Sequence, residues 1–254
     1  GSEMCIRDSI NLLRCAWAGS QKYGALVWSG DIKSSFPSMK NQVAAGLNMG
    51  IAGIPWWTTD IGGFFGANIN DPEFHELLVR WFEYGCFCPV MRLHGYRWPL
   101  QPQYGTTGGA TCVSGAPNEV WSYTDQVCEI LSDYLRLRER MLPYITELME
   151  EAHEKGTPVM RPLFYDFPED KESWNVETEY MFGPKVLVKP ITDADARETD
   201  VYLPGGASWT NAWTGETFEG GQKVHVAAPI EQIPLFTRDG YKPVSYTHLR
   251  AHET

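Results

Sequence analysis

Ile51-Ala-Gly-Ile-Pro-Trp-Trp57, running into Thr58-Thr-Asp60 and the turn Ile61-Gly-Gly63, reads as a buried strand that ends on a carboxylate. Ahead of it, Ser35-Phe-Pro-Ser-Met-Lys-Asn-Gln-Val-Ala-Ala-Gly-Leu-Asn-Met-Gly50 has a capping Ser, an early Pro, apolar Met39, Val43 and Leu47 at four-residue spacing, and a terminal Gly. These features predict a helix. Earlier still, Gly24-Ala-Leu-Val-Trp28 has strand length and closes on Ser29-Gly-Asp31. Downstream of Asp71-Pro72, residues Phe74, Leu77, Leu78, Trp81 and Phe82 line one face of a second helix. Phe87-Cys-Pro-Val-Met91 then predicts a third strand, ending at Arg92-Leu-His-Gly95. Strand, helix, strand, helix, strand implies a parallel sheet covered by helices. Asp31, Asp60 and His94 all fall at strand C-termini, where α/β barrels and open sheets place their chemistry.

Past a loop rich in Gly, Thr and Pro, a helical pattern runs from about Trp121 to Lys155, with Pro143 dividing or kinking it and Gly156 stopping it. From Pro158 the texture changes to short strands between turn residues: 180–190, 200–204, 209–213, 223–227 and 233–236. This predicts an all-β module of sandwich type. The expected organisation is α/β over 10–157 and β-sandwich over 158–243. Residues 1–9 and 244–254 resemble translated sequencing adapter and are set aside, so the natural chain is expected to extend beyond both ends.

The 254 residues are 43% hydrophobic, enough for a substantial core. With 21 Lys and Arg against 32 Asp and Glu, the net charge of −11 repels phosphate backbones and anionic lipid, which argues against nucleic acid as a partner. No apolar run approaches the roughly 20 residues of a membrane helix, so no membrane span is expected. Cys15, Cys86, Cys88, Cys112 and Cys128 show no Cys-x-x-Cys pair, and Cys86 and Cys88 sit in an apolar run. Neither a metal nor disulfides are expected.

Strand-end carboxylates beside many aromatics permit glycoside cleavage, which needs one carboxyl to protonate the departing oxygen and another to attack or to activate water. Asp31, Asp60, His94, Trp28, Trp56 and Trp57 meet that need loosely. Each has a bland alternative: turn or cap carboxylates for Asp31 and Asp60, a structural role for His94, packing for Trp56 and Trp57. Trp209 and Trp213 read as core of the β-module, and Arg136, Arg138 and Arg140 as a solvated helix face.

Three segments in order sharpen this reading: Arg14-Cys-Ala-Trp-Ala-Gly through Trp28-Ser-Gly-Asp31, then Gly53-Ile-Pro-Trp-Trp-Thr-Thr-Asp-Ile-Gly-Gly-Phe64, then Phe87-Cys-Pro-Val-Met-Arg-Leu-His-Gly95. Together with Gly183-Pro and Trp213-Thr-Gly-Glu216 they closely resemble glycoside hydrolase family 31, over nearly all of residues 10–240. The resemblance implies a retaining α-glycosidase, chiefly an α-glucosidase or α-xylosidase, on a (β/α)8 barrel followed by β-sandwich domains. This chain would carry the C-terminal part of that barrel and the adjoining sandwich. The resemblance makes Asp31 the general acid/base, Arg14, Asp60 and His94 sugar-binding groups, and Trp28 an aromatic wall of the pocket. Cys15 departs from the usual Ser, and the family's Lys-x-Asp motif, which carries the nucleophile, does not precede Arg14. Oligosaccharide is the implied partner and no cofactor is implied; an oligomer is allowed for the whole enzyme, and the compartment stays open with the cytoplasm as default. An α-transglycosylase or α-glucan lyase would keep the same residues, and a noncatalytic carbohydrate-binding protein is the rival from another class.

Overall fold

The computed structural model describes residues 10–241, so the adapter-like segments lie outside the described residues. Strands β1 (Asn11–Leu13), β2 (Ala25–Trp28) and β3 (Trp57–Thr58) form a parallel sheet in that order. With only three residues, β1 is too short to show a period and was not anticipated. Helix α1 (Phe36–Ile51) makes the crossover from β2 to β3. Its start is set by Ser35, whose hydroxyl accepts the Ser38 N–H at 3.3 Å, and its buried stripe includes the expected Met39, Val43 and Leu47. The strand expected over 51–57 contracts to β3. Helix α1 runs through Ile51, after which Gly53 at φ +80 and Pro55 turn the chain.

Helix α2 (Pro72–Cys86) starts at Asp71, whose carboxylate accepts the Glu73 N–H at 3.0 Å. The third predicted strand does not form over 87–91. The Phe87 and Cys88 amides turn back to the carbonyls of Tyr84 and Gly85, and Pro89 has no N–H to offer a ladder. The chain still occupies the strand's position, because Val90 N–H donates to Trp57, Ile61 N–H donates to Arg92, and Ile61 and Leu93 form a parallel bridge. A further parallel pair joins β4 (Ala67–Asn68) to β5 (Arg97–Trp98). Among the described residues the sheet does not close into a barrel.

The long helical pattern divides at Met141 into α3 (Asp125–Arg140) and α4 (Leu142–Lys155), with Pro143 in the first turn of α4 and Gly156 closing it at φ +70. The Arg136, Arg138, Arg140 run is not one solvated face. Arg138 turns inward and donates to the carbonyls of Cys86 and Cys88 at 2.7 Å and of Pro89 at 2.8 Å, capping the C-terminal end of α2. Burial among these groups pushes the Cys86 and Cys88 thiols up to about 12.

The β-module comprises β6 (Met160–Pro162), a one-turn helix α5 (Leu163–Asp166), β7 (Tyr180–Phe182), β8 (Val186–Val188), β9 (Glu198–Leu203), β10 (Ser208–Asn211), β11 (Thr217–Glu219), β12 (Gln222–Ala227) and β13 (Leu235–Arg238). Six strands pair antiparallel in the order β11-β10-β13-β8-β7-β6, and β9 pairs with β12 as a second layer. Met181, Leu187, Trp209 and Phe236 face Val201, Leu203, Val224 and Val226 across the sandwich. The alternate residues Tyr180, Phe182, Val186, Val188 and Leu235 pack instead into the core shared with helices α1 to α4. One sheet buried on both faces explains why these strands read as continuous apolar runs rather than alternating ones.

Candidate active site

Parallel pairing of Val27 with Trp57 and of Trp28 with Thr58 fixes β2 and β3 in register, so Asp31 and Asp60 leave the sheet at the same end. Backbone hydrogen bonds then stitch the loops together. The Phe64 N–H donates to Ile32 at 2.7 Å, Ser34 N–H to Phe65 at 2.8 Å, and Tyr96 N–H to Phe64 at 2.6 Å. The segments carrying Asp31, Asp60 and His94 thus form one continuous surface. Gly63 is the point of closest approach: at φ +74, a Cβ there would lie 2.6 Å from the Ser34 Cα.

Asp60 is fully buried, with one carboxylate oxygen accepting a hydrogen bond from the Arg92 guanidinium. Its other oxygen, Oδ2, has no protein partner, nor do the buried hydroxyls of Thr58 and Thr59. Burial raises the Asp60 carboxyl above its usual range, against the opposing charges of Arg92 and His94, while the Asp31 carboxylate adds to the rise. An ionisable oxygen shielded from water and without a partner is poised to accept from a ligand hydroxyl.

Asp31 is exposed and pairs with Arg14, Nη2 to Oδ2 at 3.0 Å. Gly30, immediately before Asp31, sits at φ +78, and a Cβ there would meet the Arg14 Nε at 2.9 Å. His94 is exposed and lies against the Phe64 ring, centroids 5.6 Å apart. Trp28 is half-buried at the end of β2. The structure therefore brings Arg14, Trp28, Asp31, Asp60 and His94 to one end of the sheet. Sequence reasoning missed Arg92 and Phe64, although both lie inside the quoted motifs; Arg92 was legible only as the residue two before His94. Trp57 is core, as the packing alternative had it, while Trp56 is half-buried. Among the described residues no group of three or more His, Cys, Asp or Glu side chains could hold a metal ion.

The family model for the glycosyl hydrolases family 31 TIM-barrel domain matches residues 6–148, and that for the glycosyl hydrolase family 31 C-terminal domain matches residues 156–241. The chain belongs to glycoside hydrolase family 31. Its parallel sheet is accordingly an arc of a TIM barrel, followed by the β-rich C-terminal domain. An α-xylosidase of Saccharolobus solfataricus is 39% identical over 229 residues, spanning 90% of this chain and 29% of that protein. Alpha-glucosidase 2 of Bacillus thermoamyloliquefaciens is 35% identical over 90% of this chain and 26% of its own length. A crystal structure of a family 31 α-xylosidase from a soil metagenome, complexed with xylose, superposes with a TM-score of 0.88 at 55% identity, covering 92% of this chain and 35% of that one. The chain thus spans about a third or less of these relatives.

Proposed function

We propose that this chain is the later part of the catalytic barrel and the adjoining β-domain of a retaining α-glycosidase that releases terminal α-xylosyl or α-glucosyl residues from oligosaccharides. The observation that carries the reading is the convergence of Asp31, Asp60 and His94 on loops tied to one another by backbone hydrogen bonds. Both an α-xylosidase and an α-glucosidase stand among the similar proteins, and the structure cited, 55% identical, is an α-xylosidase complexed with xylose.

In this reading Asp31 is the general acid/base, held by Arg14, and Trp28 walls the pocket. Asp60 accepts a sugar hydroxyl through its open Oδ2 while Arg92 favours the ionised carboxylate against burial and orients it. His94, against Phe64, supplies a second polar contact. A carboxylate nucleophile, assigned to a segment of the longer protein outside this chain and roughly 5 Å from Asp31 in the retaining geometry, attacks the anomeric carbon. Asp31 protonates the departing oxygen as the glycosidic bond breaks, then takes a proton from the water that releases the sugar. No cofactor enters these steps.

The test is the leaving-group signature of Asp31→Ala in the full-length enzyme. Natural disaccharides should suffer far more than an activated aryl or fluoride glycoside, and azide should restore turnover of the activated substrate. Equal losses on both substrates with no azide effect remove Asp31 from the acid/base role.

A further inference from the structure

Arg97, in β5, is completely buried yet makes no direct ion pair among the described residues, an arrangement costly enough to need a reason. Its guanidinium is spent on the turn that follows Asp60. Nη1 donates to the Gly63 carbonyl at 2.7 Å and Nη2 to the Ile61 carbonyl at 3.1 Å, while Nε donates to the Asn118 side chain at 3.1 Å. Asn118 also accepts from the Tyr123 hydroxyl at 2.5 Å, and the guanidinium lies 4.8 Å from the centre of the Phe74 ring. The space is cut to fit: a Cβ on Gly62 would stand 2.9 Å from Nη2, and one on Gly95 would stand 2.4 Å from Cζ. Without the fork, two carbonyls of the turn would be buried and unpaired.

We propose that Arg97 is a positioning residue of the active site, fixing the turn 60–64 so that Asp60 and Phe64 stand at a set depth against the loops bearing Asp31 and His94. The inference rests on the sugar-binding reading of Asp60 given above. Phe64 carries the effect onward, because its backbone bonds both Ile32 and Tyr96 and its ring meets His94. Lysine could keep the charge here but not the two-carbonyl fork, so the positioning function belongs to the guanidinium's shape.

A monodeoxy substrate series on the full-length enzyme separates positioning from bulk stability. In the native enzyme, removing the hydroxyl that Asp60 accepts should lower kcat/KM more than removing any other, and Asp60→Asn should flatten that one penalty. Arg97→Lys should lower kcat/KM on the parent glycoside at least tenfold and flatten the same hydroxyl's penalty; Asn118→Ala should do so to a smaller degree, about threefold. A residue that merely stabilised the fold would reduce all substrates by one common factor. If Asp60→Asn leaves the series unaltered, the sugar-binding reading itself fails. If Asp60→Asn flattens the penalty but Arg97→Lys and Asn118→Ala scale every substrate equally or not at all, the reading stands and the positioning inference is overturned. Should Arg97→Lys not fold, Asn118→Ala, which removes only the half-buried amide shared with Tyr123, decides the matter by the same pattern.

Discussion

Arg80 and Glu83 form an ion pair within one turn of α2, Nη1 to Oε2 at 3.1 Å, with both side chains fully buried. From the barrel side the Arg80 guanidinium reaches the carbonyls of Ala196, Ala228, Pro229 and Gln232 in the β-domain. Tyr134, from α3, donates to Glu83 at 3.0 Å and accepts the Ile233 N–H at 3.0 Å. The junction of the two domains is therefore pinned by a buried polar network set within apolar packing.

Removing one member should expose the cost of the others. Arg80→Met leaves the buried Glu83 carboxyl without its charge partner and the carbonyls unpaired, a loss of about 3–5 kcal/mol. Thermal unfolding of the full-length enzyme should shift down by several degrees, with faster hydrogen exchange across residues 228–233. An unchanged melting temperature would show the pair to be incidental to the junction.

Burial pushes the Glu83 carboxyl up from its ordinary 4.5 to about 7, opposed by Arg80 and by the Tyr134 hydrogen bond and assisted by Glu231. The folded chain then binds more protons than the unfolded one between those values. Stability from this group is complete below about 4.5 and is lost as pH rises through about 7. Melting temperature measured from pH 5 to pH 8 should carry a downward component that disappears in Glu83→Gln; an identical slope in the variant refutes it.

Asp60 and His94 should act through hydrogen bonds that strengthen in the transition state. Asp60→Ala and His94→Ala in the full-length enzyme should each lower kcat/KM by more than about tenfold, roughly 1.4 kcal/mol. A change within about twofold assigns the residue to structure alone.

Residues 10–243 expressed alone should turn over neither aryl α-glucoside nor aryl α-xyloside. Beside residues 89–93 lies an apolar groove of about 660 Å³ lined by Phe82, Met91, Leu93, Val120, Trp121 and Leu135, with Trp121 73% exposed. Segments 24–95 should exchange amide hydrogens faster than the β-domain. Activity abolished by Asp31→Ala, or equal protection of both parts, contradicts this expectation.

The sequence by itself determined the helices and most of the β-module, because four-residue apolar spacing, Ser35 and Asp71 caps, and Gly156 and Pro143 boundaries are local signals acting over one or two turns. It also placed Asp31 and Asp60 just past strands, whereas His94 follows a segment that takes a strand's position with only an isolated Ile61–Leu93 bridge. It could not settle 51–57 or 87–91, since a short apolar run looks alike in a strand, a helix end or a turn, and only neighbouring hydrogen bonds choose among them. Charge was hardest to place. Arg80, Glu83, Arg97 and Arg138 have the composition of a solvated surface, yet the three arginines are drawn inward by carbonyls supplied from segments distant in sequence, up to 152 residues away for Arg80, and Glu83 is held inside by the donors Arg80 and Tyr134. Whether a charged side chain faces water depends on which backbone groups lack partners once the elements are packed, and that deficit exists only in the tertiary structure.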